Sequence, residues 1–418
     1  MEVKKKILQH IDQHKNEIVE FLRSLIRIPS VTGSEKEISN FIAKKLDSLG
    51  LEVDVWEPNL NELKKHPGYV SVEMDYKDRP NVVGVWKGAG GGKSLLFNGH
   101  LDVINADPSV WKHNPWGGEI ENGQLYGRGA SDMKSGLAAM TMALACIIEV
   151  GIRLKGDVIL EYVVDEEFTG HGTLDCILRN YKADAGVSCE ASDLEVQPAA
   201  TGSMWFEIKV DGKSASMSRI WEAVSAIEKG HVVHKAIQDY QTVRFEKRHP
   251  LYPDPKGALA CFAGIFQAGS YPSSPPDTCT IKGRMGVLPN EDPADVKREF
   301  IEYIENAAKK DPWLREHLPR VEFTGYYAEP AEIPADHPIC TTVISSFEEA
   351  TMKKPVVRGH EGAADTRFLI KYGATPTVIF GPGTITQMHA TDEWVRIEDL
   401  ITSVKVLALT ILNWCGWE

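Results

Sequence analysis

The sequence predicts an α/β fold in which a mainly parallel sheet is interrupted by a smaller α+β domain. Over about the first 200 residues, short apolar segments alternate with segments of helical spacing, which is typical of a parallel sheet covered by helices. Residues 201–325 instead have the order β-α-β-β-α-β, which is typical of a small two-layer domain. The α/β pattern then resumes. We therefore predict one domain from residues 1–200 and 326–418 and an inserted domain from residues 201–325.

The predicted elements follow in chain order. An amphipathic helix is predicted over residues 3–28, ending before Pro29, and a second helix begins at a capping box formed by Ser34 and Glu37 and ends at Gly50. Strands are predicted at LEVDVW, NVVGVW, SLLFNGH, DVILEYVVDE and AGVSCE, and helices at SGLAAMTMALACIIEVG and GTLDCILRNY. The inserted domain begins with the strand MWFEIKVDG and a long helix over residues 219–242. The chain ends with the strand TPTVIFGPG and a helix over residues 397–412.

The segment KGAGGGKS, residues 87–94, resembles a phosphate-binding loop but does not fit one. A P-loop ending in Gly92-Lys93-Ser94 needs a glycine at position 87, where this chain has Lys87. The segment that follows is an apolar strand and not a helix. We therefore predict a hairpin turn between NVVGVW and SLLFNG.

Composition excludes several classes of function. A formal net charge of −13 argues against a nucleic-acid-binding protein. The N-terminal segment lacks the apolar core of a signal peptide, and no later segment has the length and hydropathy of a membrane span. Seven cysteines without a C-x-x-C pair suggest a reducing compartment. We expect a cytoplasmic protein that acts on a small molecule.

Histidine and carboxylate side chains follow the predicted strands at their carboxyl ends, the edge at which open α/β sheets hold their functional sites. They are His100 and Asp102 after SLLFNG, Glu166 and Glu167 after DVILEYVVD, Glu190 after AGVSC, and His389 in the loop after TPTVIFGPG. Asp132 lies in the loop GRGASDMKSG before a predicted helix. Each residue alone has an ordinary structural explanation, so the prediction of a site depends on their joint placement.

Ligands of this kind, without thiolates, suit Zn²⁺, Mn²⁺ or Co²⁺. Several carboxylates in one pocket would force protons onto some of them, and two divalent ions would remove this conflict. Two-metal sites hold their ions about 3.5–4 Å apart, often through a bridging carboxylate. We therefore predict two divalent metal ions. His171 and His360 lie near these motifs in the sequence but are not predicted as ligands.

Five motifs carry these residues, in the order GHLDV, GRGASDMKSG, VVDEEFTGHG, SCEAS and MHATDEWV. They resemble the dinuclear (M20-type) metallopeptidase family of acetylornithine deacetylase, succinyl-diaminopimelate desuccinylase, aminoacylase and glutamate carboxypeptidase. The resemblance extends almost end to end and includes GAADTRFLI and VIFGPG. It implies hydrolysis of an amide C–N bond in a small molecule, of the N-acyl amino acid deacylase or carboxypeptidase type. It also implies that the inserted domain acts as a lid and forms a homodimer.

The resemblance implies a role for each residue. Five side chains would bind the two ions: His100 and Glu190 one ion, Glu167 and His389 the other, and Asp132 both. Asp102 would accept the second imidazole proton of His100 and orient the ring. Glu166 would be the general base, taking a proton from water and returning it to the departing nitrogen. The Asp132–Met133 peptide bond would be cis.

The sequence departs from the family at Ser216, where the family usually carries a histidine that reaches across the dimer toward the substrate carbonyl. Three readings remain open. Another donor, such as an arginine, replaces the histidine; the substrate is not an N-acyl amino acid but a formamide, an aromatic amide or another C–N compound; or the chain only binds metal. Arg284 and Arg367 are candidates for binding a substrate carboxylate through bidentate hydrogen bonds, and either could equally form a structural ion pair.

Overall fold

The computed structural model describes residues 2–71 and 74–418. The chain divides into two compact units. The α/β unit consists of Met1–Ala199, Glu332–His360 and Ala364–Glu418, and the inserted unit consists of Ala200–Ala331 and Glu361–Ala363. The inserted unit therefore ends at residue 331 where the sequence pattern placed its end at 325, because the short strand at residues 327–328 still pairs within it.

The helices and strands are numbered in chain order. The α-helices are α1 Glu2–Gln13, α2 Lys15–Ile26, α3 Lys36–Ser48, α4 Leu60–Leu63, α5 Lys134–Glu149, α6 His171–Leu178, α7 Ala226–Arg244, α8 Pro293–Ala308, α9 Pro338–Thr351, α10 Thr366–Lys371 and α11 Ile397–Cys415. The strands are β1 Glu52–Trp56, β2 Asn81–Trp86, β3 Leu95–His100, β4 Glu119–Glu121, β5 Gln124–Tyr126, β6 Val158–Val163, β7 Ala185–Ser188, β8 Ala199–Ala200, β9 Gly202–Asp211, β10 Cys261–Ala268, β11 Thr278–Val287, β12 Arg320–Glu322, β13 Tyr327–Ala328, β14 Ala331–Glu332, β15 Thr377–Ile379 and β16 Trp394–Arg396.

The α/β unit is built on a six-stranded sheet of order β1-β2-β6-β3-β7-β15. The four strands from β6 to β15 are parallel, while β1 and β2 are antiparallel to their neighbours. Every residue of β3 and β6 is buried, as expected for parallel strands covered on both faces. Alternate residues of β3 enter cores on opposite faces, Phe97 on one and Leu96 on the other. The predicted fold class is confirmed.

The glycine-rich segment does not form the predicted hairpin. Strand β6 lies between β2 and β3, so these two strands are not paired. The segment instead runs beside the chain that leads into β6, where the backbone N–H groups of Ala89 and Gly90 donate to the carbonyls of Leu154 and Lys155, both at 2.8 Å. A Cβ at Gly92 would lie 2.0 Å from the carbonyl oxygen of Cys415. Close backbone approach therefore explains this glycine.

Three helix predictions are wrong in detail. The N-terminal helix is two helices, α1 and α2, because His14 leaves the helical region at φ −106° and ψ 19°. The capping box is absent from the start of α3, since Glu35 occupies the N-cap position and its carboxylate bonds the guanidinium of Arg79. The long helix predicted from residue 219 begins at Ala226, after a 3₁₀ turn at Met217–Glu222.

The inserted unit has an antiparallel sheet of order β10-β11-β9-β12, with β13 also paired to β9. Helices α7 and α8 share an apolar core with this sheet, in which Phe206, Ile281 and Phe300 are buried. Its elements occur in the order β9, α7, β10, β11, α8, β12. This is the predicted β-α-β-β-α-β order.

Helix α5 is seated directly against the end of β7, which leads to two predictions about glycines. A Cβ at Gly136 would lie 1.9 Å from the carbonyl oxygen of Cys189. Helix propensity alone would make Gly136→Ala stabilising by about 1 kcal/mol. We expect the clash with the backbone to reverse this sign and to lower the free energy of unfolding by about 1–3 kcal/mol, measured by urea denaturation.

Gly264→Ala is the matched control, because a Cβ there meets no atom within 4 Å. It should leave the unfolding midpoint nearly unchanged. A higher midpoint for Gly136→Ala than for the native chain would show that α5 does not approach β7 as closely as described.

Candidate active site

The polar side chains that follow the strands converge at one edge of the α/β sheet. His100 is the last residue of β3, Glu190 lies two residues beyond β7, and Glu166 and Glu167 follow β6. Asp132 lies two residues before α5. Because the carboxyl ends of parallel strands meet at the same edge, these segments bring their side chains together. We call the resulting group the sheet-edge cluster: His100, Asp132, Glu166, Glu167, Glu190 and His389.

Distances within the cluster place Asp132 between the two histidines. Its Oδ1 lies 3.0 Å from Nε2 of His100, and its Oδ2 lies 3.4 Å from Nε2 of His389. Glu190 Oε1 is 3.8 Å from the same nitrogen of His100, and Glu167 Oε2 is 2.9 Å from Nε2 of His389. The six residues therefore divide into two groups that share one carboxylate, with Glu166 Oε2 4.0 Å from Nε2 of His100.

Asp102 holds the cluster in a way that differs from the expectation. Nδ1 of His100 donates to the backbone carbonyl of Asp102 at 2.8 Å, while the nearest carboxylate oxygen is 3.7 Å away. The carboxylate of Asp102 instead accepts the backbone N–H groups of Glu166 and Glu167, at 3.1 and 3.3 Å. It also accepts the hydroxyl of Thr32 at 2.9 Å. Asp102 thus orients the ring through its main chain and the two glutamates through its side chain.

Glu393 fixes the loop that carries Asp132. Its buried carboxylate accepts the backbone N–H groups of Gly129, Ser131 and Asp132 at 2.7–2.9 Å and the guanidinium of Arg128 at 2.7 Å. The Asp132–Met133 peptide bond in this loop is cis, as the resemblance implies. Glu393 lies four residues after His389. One short segment therefore supplies a member of the cluster, His389, and also the carboxylate that anchors the loop of another member, Asp132.

Asp165 shapes the turn from which Glu166 and Glu167 project. Its φ is +68°, a conformation that L-residues rarely adopt. Its carboxylate is buried and accepts from the guanidinium of Arg79 at 3.0 Å and from the hydroxyl of Tyr76 at 2.9 Å. Burial raises the pKa of Asp165 while Arg79 opposes the shift. No role for Asp165, Tyr76 or Arg79 was predicted from the sequence. Asp165 lies in the VVDEE motif, but no motif contains Tyr76 or Arg79.

Carboxylates surround both histidines of the cluster. Hydrogen bonds to Asp132 and Glu167 raise the pKa of His389 to about 10. Burial disfavours the charged form of His100, but Glu190 and Asp132 outweigh it and raise its pKa well above the usual value. In the absence of a metal ion, protons on these rings therefore balance part of the negative charge.

Burial also raises the pKa of the acids. The pKa of Glu190 and that of Asp102 rise to about 8, and the pKa of Glu166 is also raised, in each case chiefly by burial. Glu190 Oε2 is buried and has no hydrogen-bond partner among the described residues. An unpartnered buried carboxylate oxygen beside imidazole and carboxylate ligands fits a bound divalent cation. The ligand atoms of His100, Asp132 and Glu167, and likewise those of His100, Glu166 and Glu190, lie within 4.8 Å of one another.

The other predicted residues have the following surroundings within their own units. Ser216 is exposed in the inserted unit, with its hydroxyl 3.1 Å from that of Ser218. Arg284 lies on β11, and its Nε is buried with no partner within the described ranges. Arg367 is buried and donates to the backbone carbonyls of Ala364 and Thr169, at 3.1 and 2.9 Å.

The two histidines not predicted as ligands have other partners. His171 is buried, with Nδ1 2.6 Å from the hydroxyl of Tyr76, and its Nε2 accepts the backbone N–H of Val70. His360 Nδ1 lies 2.9 Å from Oε1 of Gln197. Neither ring belongs to the sheet-edge cluster.

A parallel α/β sheet with histidine and carboxylate side chains gathered at its strand ends has the arrangement of a metal-dependent hydrolase. The sequence profile of peptidase family M20/M25/M40 matches residues 96–413. The chain is 30% identical to an N-formyl-4-amino-5-aminomethyl-2-methylpyrimidine deformylase from Bacillus subtilis, with 97% of this chain and 96% of the relative covered. It is 27% identical to a succinyl-diaminopimelate desuccinylase from Methylocella silvestris, with 94% and 97% covered.

The fold is also found in a di-peptidase from Saccharomyces cerevisiae, with a TM-score of 0.74 at 13% identity and 99% and 98% of the two chains covered. The chain belongs to peptidase family M20/M25/M40. It is a metal-dependent amidohydrolase of this type. The predicted family and the predicted class of reaction, hydrolysis of an amide C–N bond, are therefore confirmed. Among the residues that the structure describes, no helix is long and apolar enough to cross a membrane.

The metal-free protein should lose stability as the pH rises. The folded chain holds a proton on His389 up to about pH 10 and on Glu190 up to about pH 8, whereas the unfolded chain releases them near their ordinary pKa values. Since the folded state binds more protons in this window, the free energy of unfolding should fall from about pH 6 to about pH 9. Urea denaturation of the metal-free protein across this range measures the slope.

Two comparisons make the test specific. His389→Gln should flatten the slope, and so should saturation with metal, because bound ligands carry no proton to lose. A metal-free protein whose stability rises over this range would contradict the proton balance described for the cluster.

Proposed function

We propose that the protein removes the formyl group from an N-formyl amine that is attached to an aromatic ring. The name of its Bacillus subtilis relative, an N-formyl-aminopyrimidine deformylase, describes a substrate of this class. The proposal of amide hydrolysis depends on one observation above all, the largely enclosed carboxyl of Glu166 beside His100 of the sheet-edge cluster. The substrate class is supported by the 30% identity to that relative over nearly the whole of both chains. Ser216, in place of the histidine expected at that position, supports a substrate other than an N-acyl amino acid.

We propose five metal ligands for two divalent ions. His100 and Glu190 would hold one ion, Glu167 and His389 would hold the other, and Asp132 would contribute to both. The positions of the two Asp132 oxygens, each near a different histidine, support the bridge. Zn²⁺ is the ion we propose, and Mn²⁺ and Co²⁺ suit the same nitrogen and oxygen ligands.

The proposed chemistry assigns one proton transfer to Glu166. Bound divalent ions lower the pKa of water and polarise a carbonyl oxygen. Glu166 takes a proton from the attacking water and returns it to the amine nitrogen as the C–N bond breaks, so that formate and a free amine leave. Its raised pKa, caused mainly by burial, suits a group that must hold this proton between the two steps. The Asp102 carboxylate keeps Glu166 in place by accepting a hydrogen bond from the backbone N–H of Glu166.

A second candidate is deacylation of an N-acyl amino acid. The desuccinylase name of the Methylocella silvestris relative supports it, and so does Arg284, whose Nε lacks a partner among the described residues. In this case an arginine would bind the substrate carboxylate.

We also propose a homodimer formed through the inserted unit. A cytoplasmic location is supported by seven cysteines that all carry free, buried thiols.

Glu166→Gln should lower kcat by about 10²–10⁴-fold, because the amide cannot accept the proton. Metal content, measured by atomic emission, should stay that of the native protein. Glu246→Gln is the matched control, since Glu246 is strongly exposed in the inserted unit. A variant at position 166 with near-native kcat would remove Glu166 from the mechanism.

Steady-state kcat/KM on a substrate panel separates the two candidates. We expect the formamide of an aminomethylpyrimidine to exceed N-succinyl and N-acetyl amino acids by at least about 10-fold, a difference of about 1.4 kcal/mol in transition-state stabilisation. Chelation should abolish the activity, and Zn²⁺, Mn²⁺ or Co²⁺ should restore it. A preference for acyl amino acids that Arg284→Ala weakens through KM would favour the second candidate.

A further inference from the structure

Away from the sheet edge, the helices of the α/β unit bring together a second set of metal-ligating groups. His10 of α1 and Cys146 and Glu149 of α5 each offer a ligand atom, and the three atoms lie within 4.8 Å of one another. We call these residues the helix-pair cluster. In the described ranges 2–71 and 74–418, it is the one such group outside the sheet-edge cluster.

Helix geometry explains why these side chains meet. Cys146 and Glu149 are three residues apart on α5 and so project from the same face. Helix α1 packs against α5, and His10 Nε2 lies 2.9 Å from Glu149 Oε2. The thiol of Cys146 is fully buried beneath them, while the imidazole and carboxylate are 20% and 38% exposed. An ion from solvent would therefore reach the thiol between two groups that can also bind it.

The orientation of His10 is constrained from the other side. The ring of His14 lies against that of His10 with a centroid distance of 4.0 Å, and Nδ1 of His14 donates to the backbone carbonyl of His10 at 2.8 Å. The His10 imidazole is thus held with Nε2 toward α5. A held imidazole loses less conformational freedom when it binds a ligand than a mobile one does.

The chemistry of this cluster differs from that of the sheet edge. A thiolate, an imidazole and a carboxylate are the ligand types that zinc accepts, and three protein ligands leave a fourth position for water. Thiolate also selects soft and borderline ions over Mg²⁺ and Mn²⁺. Burial and the nearby carboxylates of Glu149 and Glu17 raise the pKa of the Cys146 thiol to about 12. A bound cation would offset these carboxylates and stabilise the thiolate.

We propose that His10, Cys146 and Glu149 bind one thiophilic divalent cation of the Zn²⁺ or Cd²⁺ type, separate from the ions at the sheet edge. The bound ion would link α1 to α5. Because α5 begins two residues after Asp132, the link would also stabilise the helix that follows the metal-bridging loop. This site is independent of the substrate proposed above.

Cobalt substitution tests the proposal through a signal that the sheet-edge cluster cannot produce. A thiolate ligand gives Co²⁺ a near-ultraviolet charge-transfer band, whereas histidine and carboxylate ligands do not. Titrating the metal-free full chain with Co²⁺ should produce this band. Cys146→Ser and His10→Ala should abolish it, and Cys340→Ser, at a buried cysteine outside both clusters, should keep it.

Zinc stoichiometry supplies the second readout. The native chain and Cys340→Ser should each bind one zinc ion more than Cys146→Ser and His10→Ala, with turnover serving as the check on folding. If Cys146→Ser fails to fold, Glu149→Gln tests the same site, because the Glu149 side chain is exposed and its replacement disturbs no core packing. This variant should bind Co²⁺ at least 10-fold more weakly, as followed by the charge-transfer band. No charge-transfer band at saturating Co²⁺, or a band that persists in Cys146→Ser, would overturn the proposal.

Discussion

Carboxylates from three separate segments of the chain lie together at one edge of the sheet beside two imidazoles, and none of these carboxylate side chains is more than 13% exposed. Burying like charges at such short distances is strongly unfavourable unless cations or protons neutralise them. Without metal, protons on His100 and His389 and on the buried acids perform this role. The same crowding of carboxylates that destabilises an empty site favours the binding of divalent ions there. Metal affinity and proton occupancy are therefore two aspects of one electrostatic constraint.

A second layer of acids positions the first. Asp102 and Glu393 are both buried. The carboxylate of each accepts hydrogen bonds mainly from backbone N–H groups of a loop that carries a member of the sheet-edge cluster. Asp165 supports its own turn differently, because its carboxylate accepts hydrogen bonds from the side chains of Arg79 and Tyr76. These acids fix loop geometry and leave the imidazole and carboxylate side chains of the sheet-edge cluster free to face one another. The arrangement resembles the outer-shell hydrogen bonding that orients ligands in metal sites generally.

The members of the sheet-edge cluster could be predicted from sequence because apolar strands are visible as runs, and the ends of parallel strands must meet. The second layer could not be predicted. Glu393 follows a predicted ligand, but nothing local shows that its partners lie more than 260 residues earlier. The hairpin prediction failed for the same reason, since neither flanking strand reveals that β6 lies between them. Strand order and loop anchoring depend on contacts between distant segments, which single-sequence patterns do not contain.

The dependence of the Asp132 loop on Glu393 has a consequence for biosynthesis. While the ribosome is still producing the inserted unit, the emerged chain already contains His100, Asp132, Glu167 and Glu190. It lacks both His389 and the carboxylate that anchors the Asp132 loop. At that stage the sheet-edge cluster is therefore incomplete, and the Asp132 loop lacks its anchor. With the ligand set proposed above, complete metal loading would follow synthesis of the segment that contains both His389 and Glu393, since this segment adds a proposed ligand and anchors the Asp132 loop.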